Sequence, residues 1–164
     1  MQSFTWVYTI LRWIIGIVFI YSGVVKLIDP ETFAVLIDAY GLLPEVLLMP
    51  MAVMLPAAEV LAGAGLLVDL RGSLAGITGL LVLFVIILGY GILMGLDVDC
   101  GCFGPEDPES RAFHDLRPAL YRDLVMLAAV ACMYAWRRLC RVTPLNIGQL
   151  ISKFTKRKTE DVYV

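Results

Sequence analysis

Four long apolar runs divide the chain, and each is long enough to cross a hydrocarbon core that needs about 20 helical residues. The first, Phe4 to Lys26, is apolar except for Arg12. It reads as a retained span rather than a cleaved signal peptide, because its apolar character begins before Arg12, continues to Leu27, and meets no Ala-x-Ala pattern. The second, Pro44 to Val68, carries Glu59 and contains Pro50 and Pro56, which a membrane helix tolerates with a kink. The third, Ser73 to Leu96, has neither charge nor proline, and the fourth runs from Pro118 to Trp136. Between the first two, Asp29 to Tyr40 places Phe33, Leu36 and Ile37 on one helical face, predicting a short amphipathic helix along the membrane surface. The glycine pairs Gly72-x-x-x-Gly76 and Gly91-x-x-x-Gly95 predict close helix packing.

Composition agrees with the pattern. The 164 residues are 60% hydrophobic and 17% charged, with a mean hydropathy of +0.83, values of an integral membrane protein and not of a soluble domain. The fold class expected is therefore all-α, a polytopic four-helix membrane bundle over residues 1–136, followed by a basic tail over 137–164. The net charge of -2 says little beside the position of the cations. Arg137, Arg138, Arg141, Lys153, Lys156, Arg157 and Lys158 all follow the last span. The positive-inside rule then predicts a multi-pass membrane protein with both termini and the Arg71 turn cytoplasmic. Lipid is the expected partner of the tail, and no nucleic-acid patch, nucleotide fingerprint or serine triad appears.

The chemistry concentrates in the connection between the third and fourth spans, Asp97-Val-Asp-Cys-Gly-Cys-Phe-Gly-Pro-Glu-Asp-Pro108. Orientation puts it outside the membrane, in an oxidising compartment. Cys100 and Cys102 are two residues apart, which allows the Cα separation of roughly 4.4–6.8 Å that a disulfide requires. A ring so small is strained, and strained, exposed disulfides exchange readily. A redox dithiol is the reading favoured. Asp99, Cys100, Cys102 and His114 are also competent metal ligands, but the spacing lacks the paired Cys-x-x-Cys of a zinc site. Cys132 reads as a small packing residue in the fourth span, and Cys140 as an incidental thiol beyond it.

Charges within the spans supply a second set of candidates, since an ionisable group in hydrocarbon costs at least about 2.5–3.5 kcal/mol and is generally paired or functional. Depth counted from the helix ends places Arg12 and Glu59 in the same half of the bilayer, where they could meet. Snorkelling stands level with pairing for Arg12. Glu59 reads as protonated or, favoured, in a structural ion pair with Arg12 or a similar donor, a proton-relay carboxylate being the lesser alternative. Lys26, Arg122 and Asp123 converge near the level of the cysteine loop. Arg122 there is a candidate to lower a thiol pKa or to hold a quinone oxygen. Pairing with Asp123 or with headgroups is the structural alternative, and it is the reading favoured for Lys26.

Arg12-Trp-Ile-Ile-Gly-Ile-Val-Phe-Ile-Tyr-Ser-Gly-Val-Val-Lys-Leu-Ile-Asp-Pro30, followed by Phe33 and Tyr40-Gly-Leu-Leu-Pro44, resembles the first-helix signature of the DoxX-like membrane proteins. Cys100-Gly-Cys-Phe-Gly104 followed by Arg122-Asp123 is similar to the MauE branch of that superfamily. The resemblance implies a four-helix membrane bundle associated with methylamine utilisation, in maturing a disulfide-rich periplasmic subunit. It also implies a redox role for Cys100 and Cys102 with Arg122 as helper. The expected partner is a periplasmic thioredoxin-like protein or a disulfide-containing client, and a membrane quinone is a candidate cofactor. Two other readings stand beside it: a quinone-coupled thiosulfate oxidoreductase subunit, and a non-enzymatic assembly scaffold.

Overall fold

The computed structural model describes residues 5–96 and 116–140. Among these, five helices follow one another: α1 (Thr5–Ile28), α2 (Pro30–Ala39), α3 (Glu45–Leu67), α4 (Ser73–Met94) and α5 (Arg117–Cys140). Four of them, all but α2, are long and apolar enough to cross a membrane. The expected all-α bundle is present. Outward faces carry large apolar side chains such as Trp6, Ile14, Leu61, Ile86 and Val125, as a lipid solvent demands. Inward stripes recur every three or four residues: Tyr8, Ile15 and Phe19 on α1, Leu74, Ile77 and Leu81 on α4, and Val130 and Met133 on α5 form one core with Leu66.

The α1–α3 interface is the most extensive in the bundle, and glycine makes it close. A Cβ on Gly63 would come within 2.8 Å of the Gly16 carbonyl, and one on Gly23 within 2.7 Å of the Pro56 carbonyl. The close approach thus uses glycines other than the predicted pairs. Gly72 and Gly95 instead adopt positive φ, 102° and 66°, at the two caps of α4. The expected packing role survives only in part: a Cβ on Gly91 would come within 2.7 Å of the Tyr40 ring and 2.8 Å of Leu116, whereas one on Gly76 would meet Ala62 at an ordinary 3.8 Å. Because the obstacle at Gly63 is backbone, Gly63→Ala should force α1 and α3 apart and cost roughly 1–3 kcal/mol. Unfolding of the purified variant in mixed micelles checks this, and an unchanged midpoint would contradict it.

α2 begins at Asp29, whose carboxylate accepts from the Thr32 hydroxyl at 2.6 Å and the Thr32 amide at 3.1 Å. Those bonds, the hydroxyl's first, hold the Asp29 carboxyl below its ordinary pKa. The helix packs against α3 rather than resting on the membrane surface alone: Phe33 and Ala34 are buried with Leu48 and Ala52, and Leu36 and Ile37 join them. The face predicted from spacing is the face used. α5 runs through Arg137 and Arg138 to Cys140, so the first two arginines assigned to the tail belong to the last helix. Cys132, expected to pack inside, lies exposed on the outer face of α5, because the inward stripe there runs through Val130 and Met133.

Candidate functional site

Two polar clusters are buried in the bundle, one toward each end. At the end capped by α2, Lys26 Nζ donates to Glu59 Oε1 at 2.7 Å, with the two side chains 4% and 1% exposed. The ammonium also lies 5.2 Å from the Phe33 ring centroid and 4.9 Å from that of Phe84, within cation–π range. Asp123, equally buried, accepts from Arg122 Nε and Nη2 at 3.3 Å. Two cations and two carboxylates therefore meet in a low-dielectric setting with balanced charge.

Glu59 does sit in a structural ion pair, but its partner is Lys26 and not Arg12. α1 and α3 run antiparallel in a register that sets Gly16 against Gly63 and Gly23 against Pro56, which leaves Arg12 and Glu59 about 12 Å apart along the axis at 1.5 Å per residue. Side-chain direction decides the rest. Helical side chains lean toward the N-terminus of their own helix, so in this antiparallel pair Lys26 and Glu59 lean toward each other while Arg12 leans away. The structural pairing favoured for Lys26 is present, with Glu59 as the partner in place of Asp123 or a headgroup.

Arg12 is instead held at the opposite end, 3.5 Å from Asp69 Oδ2. The same carboxylate accepts from Tyr8 Oη at 3.0 Å and from Arg137 Nη2, while Arg137 Nε donates to the Tyr8 oxygen at 2.9 Å. This knot ties α1, the α3–α4 turn and α5 together. Asp69 is held at φ 55°, a left-handed conformation that aspartate tolerates better than most residues. Tyr8, Asp69 and Arg137 were missing from the candidates read in sequence. Tyr8 and Arg137 carried a readable signal, because they fall on the inward stripes of α1 and α5.

An apolar cavity of about 290 Å³ opens between α2, α3 and α4, with Lys26 and Asp123 at its floor and Phe33, Tyr40 and Phe84 among its walls. A small pocket of about 20 Å³ adjoins it around Ser22, Arg122 and Asp123. Cys100 and Cys102, like Asp99 and His114, lie outside the described residues. The chain leaves α4 and returns to α5 at this same end, where Leu88 of the cavity wall packs with Leu116 and Ala119. Arg122 is thus placed in the Lys26 cluster, beside Asp123 as its structural alternative required. Among the described residues no group of three or more metal-ligating side chains assembles.

Fold and buried charges together define a multi-pass helical membrane protein with a polar cluster beneath an apolar cavity. Its sequence matches the profile of the methylamine utilisation protein MauE over residues 4–137, and the chain belongs to that family. The match ends where α5 presents Arg137 to Asp69. No curated protein and no solved structure matches the chain.

Proposed function

We propose that this MauE-family membrane protein serves methylamine utilisation by exchanging disulfides with periplasmic proteins through Cys100 and Cys102. Family membership carries this reading, and the Cys-Gly-Cys spacing supplies its chemistry. In the proposed cycle one thiol of a client dithiol, attacking as its thiolate, opens the Cys100–Cys102 disulfide to a mixed disulfide, and the client is released when its second thiol closes its own disulfide. Two electrons and two protons pass from the client, leaving Cys100 and Cys102 as a dithiol. A membrane quinone then takes the same two electrons and two protons, becoming the quinol and restoring the disulfide. Arg122 acts in this scheme as a helper cation at the membrane end of the site. The partner is a thioredoxin-like carrier or the client itself, met in the periplasm with both termini of this protein in the cytoplasm of a bacterial cell.

Single cysteine variants test the exchange. With either Cys100→Ser or Cys102→Ser, one of the two should accumulate a mixed disulfide with its partner, visible as a reductant-sensitive band after acid trapping in whole cells. Maturation of the disulfide-bearing client should fall at least tenfold in both. Normal maturation in both variants would overturn the exchange reading and leave an assembly scaffold. Direct reduction of quinone by thiosulfate in the purified protein would instead favour a sulfur-compound oxidoreductase.

A further inference from the structure

The cavity above Lys26 is built unlike a gap between lipid-facing helices. Its walls are apolar and aromatic, yet its floor holds an ammonium and a carboxylate that the bundle has buried at considerable cost. At about 290 Å³ it lies at the small end of ligand pockets, room for one ring and the first part of a tail. Leu42 and Leu83 line it and are also exposed, Leu83 on a membrane-spanning helix, so the cavity opens sideways toward lipid. A ligand arriving from the bilayer needs no aqueous route.

The floor selects the headgroup. Glu59 takes one of the three N–H donors of Lys26, and the ammonium reaches the cavity between the Phe33 and Phe84 rings with donors left for an acceptor. Lys26 and Arg122 are already balanced by Glu59 and Asp123, so an anionic head would bring an uncompensated charge into hydrocarbon, and a cationic head would face Lys26 directly. A neutral oxygen acceptor meets neither penalty. The flat aromatic walls favour a planar ring to carry it. We propose that this cavity binds a neutral ring lipid bearing a carbonyl, the chemistry of a membrane quinone, with that oxygen accepting a hydrogen bond from Lys26. The proposal deepens the redox reading above by giving its electron acceptor a site, and rests on that reading only for what the bound quinone does.

Binding of decylubiquinone to the full-length protein in nanodiscs tests it, with palmitate and decylbenzene as competitors. The wild type should bind saturably, and a tenfold excess of either competitor should shift the apparent Kd less than twofold. Leu83→Trp, which fills the cavity mouth and leaves the Lys26–Glu59 pair in place, should weaken binding at least tenfold, as should Lys26→Met. The Cys100→Ser/Cys102→Ser double variant should bind as the wild type does, so a failure of disulfide exchange and a failure of this site are told apart. Absence of saturable binding, wild-type affinity in Leu83→Trp, or equal competition by palmitate or decylbenzene would overturn the proposal.

Discussion

Lys26→Met should be among the most damaging single substitutions in the protein. It leaves the Glu59 carboxylate 1% exposed with its hydrogen-bond donor gone, and breaking one side of a buried pair costs roughly 3–5 kcal/mol. Glu59→Leu should do comparable harm from the other side, by leaving the ammonium between two phenylalanine rings without its counter-charge. The double variant Lys26→Met/Glu59→Leu should recover most of the loss, because replacing a buried pair by apolar groups of similar volume is often neutral. Unfolding of all four proteins in mixed micelles gives the coupling directly. Losses that simply add in the double variant would show that the pair is not the unit of stability. A double variant that is stable yet fails to bind decylubiquinone would separate the role of the pair in ligand recognition from its role in folding.

The second large effect lies at the other end. Asp69→Ala removes the acceptor shared by Tyr8, Arg12 and Arg137, and places alanine in a left-handed conformation it resists. Hydrogen bonds to charged groups contribute about 1.5–3 kcal/mol each in net terms, and these bonds share one carboxylate and will not add fully. We expect a loss on the order of 3 kcal/mol. Asp69→Asn retains an oxygen acceptor and a residue tolerant of positive φ, and should lose about half as much. Protease accessibility of the α3–α4 turn, measured together with unfolding, checks both. Equal losses for alanine and asparagine would mean that charge alone holds the knot.

The spans were legible because in lipid an uninterrupted apolar run of about 20 residues has few other uses. The α2 face was legible for a similar reason: Phe33, Leu36 and Ile37 share one side of a helix whichever surface receives them. Charge pairing was not, because counting depth from helix ends assumes that the ends are level and ignores which way side chains lean. The inward stripe is the better guide. Tyr8, Arg12, Ile15, Phe19 and Lys26 follow one line along α1, as Ala119, Asp123, Met126, Val130, Met133 and Arg137 do along α5. Each polar member of those lines takes part in one of the two clusters. Asp69 escaped because an aspartate beside Arg71 in a short turn looks like a solvated residue, and only the approach of α1 and α5 makes it a hub. Arg137 escaped because the basic run that follows it reads as a tail. Arg122 was placed near Lys26 from its depth alone, and the cavity that gives this cluster its meaning is formed by three helices, beyond the reach of any pattern within one.

The central claim is that Cys100 and Cys102 form a working redox couple, and its equilibrium potential is the most direct test. Full-length protein in membranes, poised in thiol buffers and trapped with an alkylating mass tag, gives the fraction oxidised at each potential. A reversible couple in the range of roughly -120 to -230 mV spanned by dedicated exchange proteins is the result expected. A pair that stays oxidised below about -300 mV, as structural disulfides do, or that never oxidises at all, would contradict it.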